Sequence, residues 1–220
     1  MVARFRFSLI SMTLFGLLGS PFAFAGDLSQ EVSAIRDRWA EVNYQVPKDD
    51  REDAFAALAD EAAKVKAAAP KDPSALIWEG IVLSSYAGAR GGLGALSLTK
   101  QARADFESAI ALDPNALDGS AQTSLGVLYY QVPGWPIGFG DDDKARELLS
   151  EGLKANPDGI DANYFFADFL SDQGDWQGAA TALEKALNAP ARPGRELADQ
   201  GRRDEINVLL SKVREHLSDS

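Results

Sequence analysis

The feature that most constrains this chain is a spacing in residues 163–186, NYFFADFLSDQGDWQGAATALEKA, that recurs upstream in stretched form. Ala167 is followed by Ala179 twelve residues later, by Leu183 four further on and by Ala186 three beyond that, with Pro190 closing the unit. Small residues at those places let two antiparallel helices cross closely, and Gly174-Asp175 supplies the turn between them. One such pair leaves an apolar face bare, so the spacing predicts a stack of neighbours sharing a core.

Two further units fit. Leu76, Gly80 and Leu83 followed by Ala102, Phe106 and Ala109 mark one that ends at Pro114; Leu125, Gly126 and Tyr129 followed by Ala145, Leu149 and Gly152 mark the next, ending at Pro157. From Gly80 to Ala102 is 22 residues and from Gly126 to Ala145 is 19, against 12 in the last unit, so ten and seven residues have been inserted between the helices. The closing prolines Pro70, Pro114, Pro157 and Pro190 stand 44, 43 and 33 apart. Without the inserts, and two more residues in the second interval, the period is 34, 34 and 33. Ahead of these, Leu28, Val32, Ile35, Trp39 and Val42 form one helical stripe, and Phe55, Leu58, Ala62 and Val65 a second, within a helix expected from Arg51 to Ala69. That pair reads equally as a divergent capping repeat or as a plain helical hairpin. After Pro190 a short linker precedes a helix expected from Arg195 to Leu217, with Ile206, Leu209, Leu210, Val213 and Leu217 on its apolar side. Arg202, Arg203, Lys212 and Arg214 are expected on its wet face, which suits a terminal cap.

A period of 34 with Leu125, Gly126 and Tyr129 in a first helix, and with Ala102 and Phe106 or Ala179, Leu183 and Ala186 in a second, resembles the tetratricopeptide repeat family. The resemblance covers about 51–190; it departs from the family in lacking the early tryptophan and in carrying the two inserts. It implies an all-α fold, a right-handed α-solenoid of stacked helical hairpins with a C-terminal capping helix, and a scaffold that binds another protein or a peptide on its concave surface. A narrower resemblance, carried by the exported repeats, by the glycine-rich insert that runs into Asp142-Asp143-Lys144-Ala145 and by the basic terminal segment, is to the periplasmic component associated with TRAP transporters. It implies an accessory that binds or passes a small solute through a cavity under the inserts.

Export is read from the first 25 residues. Arg4 and Arg6 precede an apolar run from Phe7 to Leu18, and Ala23-Phe24-Ala25 offers a cleavage site before Gly26. The run is too short to span a bilayer, which takes about 20 apolar residues. The expected organisation is a cleaved signal peptide at 1–25, a repeat domain at 26–190 and a linker with capping helix at 191–220, working in the periplasm or beyond it. With no cysteine in the chain, disulfides and thiolate metal sites are excluded, and no lipid anchor is expected. The mature part carries 20 basic against 33 acidic residues, so a nucleic-acid backbone would be repelled.

No motif points to catalysis or to a cofactor. The one histidine, His216, lies near the end and is expected in a solvated tail. The run Gly88-Ala89-Arg90-Gly91-Gly92-Leu93-Gly94 follows a helix where a phosphate loop follows a strand, so it is expected to be a flexible turn that lengthens the hairpin. Asp141, Asp142 and Asp143 are adjacent rather than alternating, which suits a helix N-terminus and not a calcium loop. The insert 132–140, VPGWPIGFG, is the oddest stretch. Its Trp135, Ile137 and Phe139 are expected to be covered, either by folding back on a neighbouring helix or by meeting a ligand or partner. Tyr129, Tyr130, Trp135 and Phe139 are the candidate contact residues.

Overall fold

The computed structural model describes residues 21–219, with side chains from residue 30 onward. The charged start of the expected signal peptide and its apolar run lie outside the described residues.

Among these residues there are nine α-helices and no strand: α1 (Pro21–Tyr44), α2 (Arg51–Ala68), α3 (Pro73–Arg90), α4 (Gly92–Leu112), α5 (Ser120–Gln131), α6 (Asp142–Ala155), α7 (Ile160–Asp172), α8 (Trp176–Leu187) and α9 (Glu196–Ser218). Three of them start on an aspartate whose carboxylate accepts an amide of the first turn, satisfying a donor that the helix cannot. Asp72 takes Ala75 N (2.9 Å), Asp141 takes Lys144 N (3.0 Å) and Asp175 takes Gly178 N (2.9 Å). Asp141 thus caps as its sequence position implied.

Helices α3 and α4, α5 and α6, and α7 and α8 pack as hairpins, at crossings where small residues are required. Ala102, Ala109, Ala145, Ala167, Ala179 and Ala186 are fully buried. A side chain on Gly126 would begin 2.7 Å from Leu149 Cγ and 3.2 Å from the Ala145 carbonyl oxygen. Successive hairpins meet where the second helix of one packs on the first of the next, α4 on α5 and α6 on α7, and first helix also touches first helix, α3 on α5 and α5 on α7. At the ends α1 packs on α3, α9 packs on α7, and α9 also reaches α1. The stack therefore curls until it closes on itself. The inner row α1, α3, α5, α7 and α9 forms a ring, and α2, α4, α6 and α8 stand behind it. At the closure, a Cβ on Gly201 of α9 would fall 2.3 Å from the Tyr44 ring of α1, so only glycine lets these helices approach so closely.

Several expectations need correction. The glycine-rich stretch 88–94 is not a flexible turn. Its residues extend both helices, so that α3 and α4 have 18 and 21 residues, and Gly91 alone separates them, at φ +65. The bend is tight because Gly91 and Gly92 both take a positive φ, +65 and +62, which glycine tolerates. The second insert is a loop held by its own backbone, with Asp141 N donating to Tyr129 O (2.8 Å) and Gly140 N to Pro133 O (3.1 Å). Trp135 and Ile137 on that loop do not fold back on a neighbouring helix; they are 90% and 61% exposed. Arg202 does not face water: it is buried, because α9 turns that side into the ring. His216 is exposed as expected, but it belongs to α9 rather than to a loose tail, and its imidazole stacks on the Trp176 indole with centroids 4.0 Å apart.

Candidate functional site

The ring surrounds a cavity of about 1240 Å³. Its wall takes Arg36, Trp39 and Asn43 from α1, Trp78, Ser84 and Ser85 from α3, Ser124 and Gln131 from α5, Tyr164, Phe165 and Asp168 from α7, and Arg202 and Glu205 from α9. The wall is about half polar, more so than the mostly apolar lining usual for small-molecule sites. The aromatic part is rigid. Trp39 meets Trp78 edge-on at 6.2 Å, and its Nε1 donates to Ser85 Oγ (2.8 Å), which in turn donates to the Ile81 carbonyl (3.0 Å).

One side of the cavity is ionic. Asp161, at the start of α7, accepts from Arg192 (2.7 Å) and Arg202 Nε (2.8 Å), and Arg192 also lies 2.6 Å from Asp199. Arg202 reaches Glu205 as well, at 2.5 Å, and its guanidinium sits 4.4 Å over Tyr164 and 4.5 Å over Phe165. Burial alone would raise the Asp161 carboxyl, but Arg202 and Arg192 hold it well below the usual carboxylate range. Arg195, in the turn before α9, also lines this side. Elsewhere, Lys66 bridges two buried carboxylates, Glu79 at 2.8 Å and Asp105 at 2.9 Å.

The four candidate contact residues do not meet in one place, and none lines this cavity. Tyr129 is buried in the core and meets Phe139 edge-on at 5.5 Å, with the Arg103 guanidinium 5.0 Å over the Phe139 ring. These two are brought together, and Phe139 does fold back on its own hairpin. Tyr130 turns the other way, its hydroxyl donating to Asp168 Oδ2 (2.6 Å); burial, then Asp168, pushes its phenol above the usual range. Trp135 stands alone at the loop tip. What sequence reasoning missed is the arginine set. Arg192, Arg195, Arg202 and Arg203 fall close together in an otherwise acidic chain, and that local reversal of charge was the available signal.

Among the described residues no group of three or more His, Asp or Glu side chains could hold a metal ion, and no helix is long and apolar enough to cross a membrane. No protein-family model matches the chain, and no curated protein is similar to it. Among solved structures it is similar to a thermophilic TPR protein of Thermus thermophilus, with 15% identity over 82% of this chain and 99% of that one and a TM-score of 0.42. The architecture stands on the chain's own contacts: an all-α stack of helical hairpins curled into a ring around a lined cavity.

Proposed function

We propose that this chain is an exported, non-catalytic binding protein that holds its ligand inside the ring. The observation that carries the reading is the cavity: at about 1240 Å³ it is somewhat larger than the usual 300–1,000 Å³ of a small-molecule site. That size suits an organic solute or a peptide of a few residues, and the meeting of α1 with α9 suits a ligand taken in rather than one laid along an open groove. Export to the periplasm is supported by Arg4, Arg6, the apolar run and the Ala23-Phe24-Ala25 site. There the protein would serve as a scaffold presenting a peptide, or as a transporter accessory passing a solute. The test is native mass spectrometry of protein recovered from periplasm. A bound species is expected, and it should be lost when Ser124→Trp fills the cavity of a still folded chain. The same mass carried by both forms, or no bound species in either, would refute the reading.

A second reading has its own support. Trp135 and Ile137 are held out on a loop whose backbone is internally bonded, and tryptophans at interfaces commonly dominate binding energy. A partner protein would then dock at the loop while the cavity holds its ligand.

A further inference from the structure

Where the turn before α9 meets the cavity, the cations are not all neutralised. Arg192 has Asp161 and Asp199, Arg202 has Asp161 and Glu205, and Arg36 lies 2.8 Å from Asp37. Arg195 has no ion pair or side-chain hydrogen bond among the described residues. Its Nε is buried without a partner, and its guanidinium lies over the face of Trp78, 5.8 Å from the centroid. Burial, and then repulsion from Arg192, depress its proton affinity below the usual arginine range, yet a guanidinium stays charged at neutral pH. Arg195 is partly buried, and Asp161 and Asp199 attract its charge without pairing with it; an orphaned donor beside a cavity still calls for an explanation.

The geometry points to a carboxylate-bearing ligand, its anionic group seated on Arg195 near Arg36 and Arg192, and its organic part against Trp78. This rests on the cavity being the binding site and adds the chemical class of what fills it. Arginine's planar fork matches a carboxylate's two oxygens. A single negative charge supplies what Arg195 lacks, whereas a dianion would also face Asp161, Asp199 and Glu205.

Benzoate and its neutral counterpart benzamide test the charge; N-acetylphenylalanine and its amide do the same for a peptide-like source. Binding is read by calorimetry and by the melting temperature, in a buffer free of carboxylates. One acid or both should bind and raise the melting temperature while the amides do not, and the tighter acid tells a solute from a peptide. Arg195→Gln should weaken that binding about tenfold or more, the scale of a lost hydrogen bond to a charged group. It should melt close to the unaltered protein, since the charge it removes makes no ion pair and lies 5.8 Å from the Trp78 ring centroid. Equal binding of acid and amide would overturn the carboxylate while leaving the cavity as the site. Failure of both acids to bind at millimolar concentration, tighter binding of sulfate than of either acid, or an unweakened Arg195→Gln would also overturn it. If Arg195→Gln does not fold, acid against amide on the unaltered protein decides.

Discussion

Gly80 and Phe106 allow the hairpin packing to be tested by a change of sign. A Cβ built on Gly80 falls 2.6 Å from Phe106 Cε1 and 2.8 Å from Cζ. Carbon pairs rest at about 3.5–4.0 Å, so the ring must move by roughly 1 Å. Phe106 is fully buried and has nowhere to go. Gly80→Ala therefore incurs an overpacking cost of about 1–3 kcal/mol. Against it stands the gain of about 0.8–1.0 kcal/mol for alanine over glycine within a helix. The net effect is expected between about zero and 2 kcal/mol of destabilisation. Phe106→Ala alone should cost about 3–5 kcal/mol through lost burial and the cavity it leaves. With the ring gone, the clash disappears and the helical gain remains, so Gly80→Ala in that background should stabilise by about 1 kcal/mol or somewhat more, since its methyl refills part of the void. Urea unfolding of the four proteins measures the cycle, with a coupling of about 1–3 kcal/mol expected. Equal effects of Gly80→Ala in both backgrounds would show that α3 and α4 do not cross at these residues.

Three further outcomes are expected. Asp105 is held up at about 6, chiefly by burial and by the Glu79 charge, although Lys66 opposes both. The folded state thus keeps a proton that the unfolded chain releases near pH 4, and this part of the stability falls as pH rises from about 4 to 6 and is flat above. Thermal melts should show the gap between Asp105→Asn and the unaltered protein shifting in the variant's favour across that window by about 1–3 kcal/mol; a constant gap would refute the assignment. Phe139→Ala should lower the urea midpoint, because its ring packs on Tyr129 under Arg103, whereas Trp135→Ala should leave it within about 0.5 kcal/mol, the ordinary scale for a surface change. Equal losses would mean that the loop tip is covered. Gly201→Ala should force α9 from Tyr44 and raise amide exchange in α9 and at the end of α1 while the hairpins α3 to α6 keep their protection; uniform exchange would refute the closure.

The hairpins were legible because the information that makes them is local. Alanines and glycines at fixed offsets specify a close crossing whatever the rest of the chain does, and Ala102, Ala145, Ala167 and Ala179 are all fully buried as their spacing demanded. The failures share the opposite property. Arg202 looked like part of a wet face because its partner Asp161 lies 41 residues away, and His216 looked like tail because Trp176 comes from another helix. The run 88–94 looked like a turn because each glycine costs a helix about 1 kcal/mol locally. Flanking residues such as Ala87 and Leu98 are buried in the shared core, and that packing offsets the local preference. The inner cavity was invisible for the same reason: its wall gathers residues of six helices, α2 among them, that are neighbours only once the ring has closed.

Closure and occupancy are linked through the same residues. Asp161 sits in the first turn of α7, where the helix dipole favours a carboxylate, and there it takes one guanidinium from the linker and one from α9. This ties the last hairpin to the helix that completes the ring, while the contact of Gly201 with Tyr44 ties that helix to α1. A salt bridge of this kind offers little net stability against a hydrophobic equivalent, but breaking it leaves Arg202, whose side chain is buried, short of its partner. It therefore fixes where α9 lies more than how firmly the chain folds. Arg195, left over from that network, faces the cavity that the network encloses. An anion bound there, as proposed above, would stabilise the docked position of α9 by its own binding free energy.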